Sequence, residues 1–265
     1  MLAVFFVGPF LTMVASSFYH RISGGFYEPA FELANYGRLF DGLFLRITGF
    51  SIGICLLAGA VCLLLAFPFT YFLTRMRRRA QVVLLVLVLS ALSLSEVIVG
   101  FGWSVVLGRA AGISNILVWL GVMEEAQAYQ PGFLAVLFGL SYIAFPFSVL
   151  ALYPQLSRLD REVTEAAQTL GASPWRTFRT VVIPIMRPTI AATFLLVFVF
   201  TLGSYLIPSI LGRPEHWTLS VFISDQAAFN ANVPFAAAMA MFLTVLSLGI
   251  VSIVLLLEAR TRTAA

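Results

Sequence analysis

Long apolar runs separated by short polar stretches dominate the sequence. A helix needs about 20 apolar residues to cross about 30 Å of hydrocarbon. Six runs reach that length, over residues 1–19, 47–73, 81–107, 132–154, 188–211 and 234–257. Their apolar residues are continuous, whereas barrel strands would alternate over about 10 residues. The pattern therefore predicts an all-α membrane protein, with six transmembrane helices forming a single membrane domain over residues 1–265.

Composition supports the same class. The chain is 60% hydrophobic, with a mean hydropathy of +0.98, and only 11% of its residues are charged. A soluble domain carries about 25% charged residues, so this chain has too few to cover a surface in water. Residues 1–19 lack the positively charged start and small-residue cleavage site of a signal peptide, and we interpret them as the first span.

The arginines predict how the spans are oriented. Eleven of the 16 basic residues, all of them arginines, fall in residues 74–80, in residues 155–187 and in the C-terminal tail. The other five are Arg21, Arg38, Arg46, Arg109 and Arg213. Arginine is enriched in cytoplasmic loops, so the first group of segments and both termini are expected in the cytoplasm.

Several kinds of chemistry are disfavoured. The chain has no lysine, and a P-loop needs one to reach the phosphates of a nucleotide. Cys55 and Cys62 lie seven residues apart on one helix face, which is typical of buried small hydrophobes rather than of a disulfide or metal pair. His20 and His216 are far apart in the sequence, and no metal site is expected.

The largest polar element covers residues 156–187. Asp160 is expected to cap a helix, Gly171 to follow its end, and Ser173 with Pro174 to start a second short helix. Pro184 and Pro188 are expected to redirect the chain into the fifth span. A helix of about 10 residues is not stable alone in water, which favours docking on a partner. The alternative is a solvated linker that follows the arginine rule.

A motif in this element is specific. Glu165-Ala166-Ala167, three residues, Gly171, nine residues and then Val181-Val182-Ile183-Pro184 resemble the cytoplasmic EAA motif of ATP-binding-cassette importer permeases. The family pattern ends in I-x-L-P, so Val181 and Ile183 are mild departures. The resemblance covers nearly the whole chain and is closest to the spermidine/putrescine-type permeases, which residues 145–184 and 204–212 resemble in particular.

The resemblance implies a type I importer fold with a coupling helix between the fourth and fifth spans. It also implies a non-catalytic subunit in a bacterial inner membrane, with ATP and magnesium bound by a partner ATPase dimer. The further partners are a second, related permease chain and an external solute-binding protein; no nucleic-acid partner is expected. The residues that would contact the ATPase are Glu165, Ala166, Ala167, Gly171, Ser173 and Arg176.

Four residues are candidates for a substrate pathway. On a continuous helix Glu96 would lie about 21 Å from Val82, deep in the third span, where a carboxylate is costly unless it has a function or a partner. Protonation of Glu96, or a structural bond to a neighbouring serine, is the alternative. Trp103 suits an organic cation but equally an interfacial anchor. A break is expected at Pro208 in the fifth span, and Ser204 and Tyr205 beside it are typical of a cavity lining and also of ordinary membrane helices.

A polyamine is the substrate that the resemblance favours. Two positions depart from that group: the third span lacks its Arg-Thr-Tyr-like residues, and Ser204 stands where a glutamate is frequent. Opines, iron(III), aminoalkylphosphonates and thiamine are the alternative solutes of related importers. A secondary transporter would need its own ion site and paired repeats. An intramembrane enzyme would need a catalytic pair within the spans, and neither pattern is found.

Overall fold

The computed structural model describes residues 2–22, 27–110 and 112–263 of the chain. Within these ranges the regular structure is helical, apart from one isolated β-bridge between His20 and Glu28. The α-helices are α1 (Leu2–Ser16), α2 (Ala34–Gly37), α3 (Gly42–Arg75), α4 (Arg78–Ser90), α5 (Glu96–Val106), α6 (Ile113–Trp119), α7 (Phe133–Ser157), α8 (Arg161–Thr169), α9 (Pro174–Thr177), α10 (Ile183–Gly203), α11 (Leu206–Leu211), α12 (Leu219–Ala228) and α13 (Val233–Thr263).

Three long apolar helices form the centre of the molecule. α3, of 34 residues, packs along α7 and α10, and α7 packs against α10. Their shared core includes the fully buried side chains of Ile54, Leu140 and Phe198. Cys55 and Cys62 are free thiols buried in α3, and Cys62 Sγ lies 3.1 Å from the Ser148 hydroxyl of α7. The core is therefore built from long-range contacts between helices.

Two further apolar clusters lie at the ends of this core. One surrounds the end of α3 near α8 and includes Tyr71, Leu152, Phe178 and Met186. The other packs α12 and α13 against the start of α3. α1 packs against α13, and α11 packs against both α5 and α7. The clusters fix the two ends of α3 against different neighbours.

Four described helices are long and apolar enough to cross a membrane: Gly42–Arg75, Phe133–Ser157, Pro174–Gly203 and Val233–Leu256. They contain or overlap the predicted spans at 47–73, 132–154, 188–211 and 234–257. The chain is thus a multi-pass helical protein, as predicted. α1 has 15 residues, or about 22 Å of helix, which is short for a span.

The prediction of one continuous helix over residues 81–107 is wrong. Arg78–Ser93 and Glu96–Val106 are bent by 101° relative to each other. Ser95 is extended, with ψ at 140°, and its hydroxyl accepts a hydrogen bond from the Val97 N–H at 3.3 Å. A serine that caps a new helix competes with continuation of the old one. The apolar run therefore holds two helices that together form at most one span.

The prediction over residues 188–211 also needs correction. The helix begins earlier, at Pro174, and is interrupted at Ser204 and Tyr205 before α11 starts. Pro208 cannot donate a hydrogen bond to the carbonyl of Ser204, four residues earlier, and its ring crowds that carbonyl. The break thus falls at Ser204–Tyr205 rather than at the proline itself.

A glycine permits a close approach between α7 and α11. A Cβ at Gly139 would lie 2.6 Å from Ile207 Cγ2 and 2.7 Å from Leu211 Cδ1. The Ile207 methyl is attached to its Cβ, so it cannot move away without shifting the helix. We expect Gly139→Ala to destabilise the protein by about 1–3 kcal/mol through overpacking, measured as a lower unfolding temperature in detergent.

Gly53→Ala is the matched control, because a Cβ at Gly53 meets nothing within 4 Å. Equal unfolding temperatures for the two variants would contradict the close approach of α7 and α11.

Candidate functional site

The polar element between α7 and α10 folds as two short capped helices. The Asp160 carboxylate accepts a hydrogen bond from the Glu162 N–H at 3.0 Å and caps α8. The Ser173 hydroxyl accepts from the Arg176 N–H at 3.3 Å and caps α9. Pro174 follows in the first turn of α9, where an N–H would have no helical partner. Both predicted caps are confirmed.

Gly171 lies in the turn that follows the end of α8. Its φ is +88°, in the left-handed region that glycine enters without steric cost from a Cβ. The Gly171 N–H donates to the Gln168 carbonyl at 2.9 Å, and the Ala172 N–H donates to the Ala167 carbonyl at 3.1 Å. These bonds satisfy the last carbonyls of α8. The prediction that Gly171 follows the end of the helix is confirmed.

A π-helical turn, Phe178–Val182, joins α9 to α10 without interruption. The prediction that Pro184 and Pro188 redirect the chain is therefore wrong, because both lie inside the continuous helix Pro174–Gly203. Pro184 cannot donate to the carbonyl of Thr180, and the wider turn accommodates the missing bond and the proline ring.

The motif residues of the element face outward. The side chains or backbones of six residues are exposed or partly exposed: Glu165, Ala166, Ala167, Gly171, Ser173 and Arg176. Beside them Leu170 is 90% exposed and Trp175 is 69% exposed. Leu170 and Trp175 therefore add exposed apolar surface beside the motif residues, where another molecule could pack.

The opposite side of the element is anchored on α3. Thr164 is 1% exposed, and its hydroxyl accepts a hydrogen bond from Arg75 Nη2 at 3.4 Å. Phe178 is 7% exposed and packs on Tyr71, with ring centroids 4.9 Å apart. The element is thus held on the body of the protein on one side and open on the other.

Two apolar cavities adjoin the bend between α4 and α5. The larger, of about 550 Å³, is bounded by α3, α4, α7 and Trp103 of α5. The smaller, of about 360 Å³, runs along α5. Leu94, Trp103 and Tyr142 line both cavities, so the two are neighbours. No Asp or Glu side chain lines either one.

Trp103 belongs to an aromatic cluster with Phe138 and Tyr142 of α7. The ring of Trp103 is stacked on Phe138, with centroids 6.3 Å apart and planes 12° apart. Tyr142 meets Trp103 edge-on at 5.8 Å. The faces of such rings attract an organic cation, and most strongly so for tryptophan. The aromatic cluster therefore gives the cavities their most specific chemistry.

The structure brings only part of the predicted pathway together. Trp103 lines both cavities, whereas Glu96, Ser204 and Tyr205 line neither. Glu96 is the first residue of α5, where the helix dipole favours a carboxylate, and this position favours the structural alternative. Ser204 is 6% exposed, and its hydroxyl has no hydrogen-bond partner in the part of the chain that the structure describes.

Sequence reasoning missed Phe138 and Tyr142. They are four residues apart on α7, so they share one helix face with a small serine, Ser141, beside them. The four-residue spacing was the sequence signal that could have identified these two rings. It shows that two rings are neighbours, but only the packing of α5 on α7 shows that Trp103 meets them.

Two solved structures of ABC transporters share this fold. A bacterial ABC transporter involved in the import of the acidic polysaccharide alginate matches it with a TM-score of 0.74 and 19% identity, over 97% of this chain and 91% of that chain. A second alginate transporter structure, in complex with alginate pentasaccharide-bound periplasmic protein, gives a TM-score of 0.71 and 18% identity, over 95% of this chain and 87% of that chain. At these identities the likeness concerns the fold alone.

The chain belongs to the family of binding-protein-dependent transport system inner membrane components, whose model matches residues 29–263. The spermidine/putrescine transport system permease protein PotB of Escherichia coli strain K12 is 32% identical over 244 residues, which cover 92% of this chain and 89% of PotB. PotB of Haemophilus influenzae is 30% identical and covers 92% of this chain and 85% of that protein. The chain is thus a permease component of an ABC importer.

Proposed function

We propose that this permease moves a polyamine-like solute, such as spermidine or putrescine, into the cell. The observation that carries the substrate class is the 32% identity with Escherichia coli PotB across 92% of the chain. The aromatic cluster is consistent with a polyamine substrate. The faces of its rings can attract ammonium groups although the rings carry no net negative charge. A binding screen of the external solute-binding protein against polyamines, opines, iron(III), aminoalkylphosphonates and thiamine tests this assignment. Preference for any of the last four would contradict it.

The element at residues 156–187 is the docking site for an ATPase subunit. Its exposed motif residues, with Leu170 and Trp175, form the surface that such a subunit would cover. Nucleotide and magnesium would be bound by the ATPase dimer, since this chain has no lysine for a P-loop. A second, related permease chain and an external solute-binding protein complete the importer.

The proposed topology has six spans in the inner membrane, with both termini in the cytoplasm. The spans are α1, α3, the bent pair α4 and α5, α7, the continuous helix Pro174–Gly203, and α13. The arginine-rich segments, including α8, then share the cytoplasmic side. This arrangement places α8 on the side where ATP is available.

Loss of the docking contacts should weaken binding of the ATPase subunit. We expect Glu165→Ala and Gly171→Leu to reach the membrane at normal levels but to retain the ATPase about tenfold more weakly, as for a loss of about 1.4 kcal/mol of binding. A side chain at Gly171 meets nothing within 4 Å in this chain, so an added leucine would act on the partner as well as on the local φ. Co-purification of the ATPase with the permease measures the effect.

Glu125→Ala is the charge-matched control, because Glu125 is exposed and lies in the loop between α6 and α7, away from α8. Normal ATPase retention and normal transport in the Glu165→Ala and Gly171→Leu variants would refute the docking assignment.

The aromatic cluster should contribute to transport of a cation. We expect Trp103→Ala to lower the uptake rate of spermidine at low concentration about fivefold, as for a loss of about 1 kcal/mol of cation–π attraction. Trp103→Phe keeps a ring and should lose less. Glu96→Gln tests the second candidate, and a fall in cation uptake would support a pathway role for that carboxylate. Unchanged kinetics in Trp103→Ala would exclude the aromatic cluster from the pathway.

A further inference from the structure

We infer that Tyr71 and Arg75, in the last turns of α3, are the positioning residues that transmit movement of residues 156–187, here called the coupling element, to the membrane helices. This inference rests on the proposed function, because it assumes that an ATPase docks on α8. It adds the route by which docking would act on the rest of the chain. Both parts of the element contact α3 here: α8 contacts Arg75, and Phe178, after α9, packs on Tyr71 and Phe67.

Helix α8 contacts α3 through Arg75. The Arg75 guanidinium donates to the buried hydroxyl of Thr164 on α8 at 3.4 Å. The same guanidinium carbon lies 4.4 Å from the centroid of the Tyr71 ring, within the range of cation–π attraction. Arg75 is therefore in contact with α8 and Tyr71 at once, and a displacement of Thr164 acts on both.

The α9 region contacts the same end of α3 through a series of aromatic rings. Trp175 of α9 is stacked on Phe178, with centroids 5.7 Å apart and planes 25° apart. Phe178 in turn packs on Tyr71 at 4.9 Å and on Phe67 at 5.5 Å. Phe178 and Tyr71 are both buried, and close-packed buried side chains transmit strain because little free volume absorbs it. Tyr71 thus contacts the α9 region through Phe178, as Arg75 contacts α8 through Thr164.

α3 is suited to carry such a displacement towards the cavity. It is a single helix of 34 residues, and Val61, Cys62 and Leu65 on it line the larger cavity. The ten residues from Val61 to Tyr71 correspond to about 15 Å along the helix. One continuous helix, with Pro68 between the two regions, therefore contacts both the coupling element and the cavity.

The two contacts of Arg75 distinguish it from an arginine that only follows the rule for cytoplasmic loops. A planar guanidinium can stack on a ring and donate sideways at the same time, which a lysine ammonium cannot match. Arg79, nearby at the start of α4, is exposed and serves as the control. Tyr71→Phe keeps the ring and Tyr71→Leu removes it, so this pair tests whether the ring itself matters.

The test uses the complete importer reconstituted in vesicles with its ATPase and binding protein. The readout is the amount of spermidine transported per ATP hydrolysed. We expect Arg75→Ala and Tyr71→Leu to lower this ratio at least about fivefold, the lower range of coupling between sites. Arg79→Ala and Tyr71→Phe should keep the wild-type ratio. A purely structural defect would lower both activities together and leave the ratio unchanged.

Thr164→Val keeps the experiment decisive if Arg75→Ala does not reach the membrane, since it removes the acceptor hydroxyl at nearly constant volume. A wild-type ratio in Tyr71→Leu and in Thr164→Val or Arg75→Ala would overturn the inference. An equal fall in the two control variants would overturn it as well. Failure of the wild-type importer to couple ATP hydrolysis to spermidine uptake would instead overturn the proposed function, so the two failures are distinct.

Discussion

Peptide groups in hydrocarbon must find hydrogen-bond partners within the chain, and this constraint sets where the helices of this permease run and where they break. The two breaks in its apolar segments are supplied with local partners. The Ser95 hydroxyl accepts the Val97 N–H, and the Ser204 N–H donates to the Thr201 carbonyl. The short helices that follow these breaks, α5 and α11, pack on each other. Ser204 at the second break is buried among its neighbours, whereas Ser95 at the first break is exposed and its neighbour Leu94 lines both cavities.

The long spans could be read from the sequence because continuous apolarity and length determine them. The breaks were harder to predict, although signals were present. Ser95 followed by Glu96 is a cap with an acidic first turn, hidden within a run of apolar residues. Pro208 acts on Ser204, four residues earlier, so the break does not fall where the proline stands. At Pro184 a break was predicted where none exists, because a π-helical turn accommodates the proline within a continuous helix.

The structure of residues 156–187 was largely predictable because its shape is local. Asp160, Gly171 and Ser173 each act within a few residues, through caps and a left-handed turn. Its anchorage on Arg75 and Tyr71 was not predictable, since those residues lie about a hundred positions away. The aromatic cluster illustrates the same limit. Trp103 was a candidate on its own chemistry, whereas its partners on α7 depend on how two helices meet.

The most direct measurement of the central claim, that α8 receives the ATPase, is site-specific cross-linking in the assembled importer. A single cysteine at Gln168, in a chain with Cys55 and Cys62 replaced by alanine, would be compared with one at Phe229. Gln168 is exposed on α8, and Phe229 is 79% exposed at the end of α12. Gln168→Cys should cross-link to the ATPase subunit and Phe229→Cys should not. No cross-link from Gln168→Cys in a complex that still transports, or an equal one from Phe229→Cys, would contradict the claim.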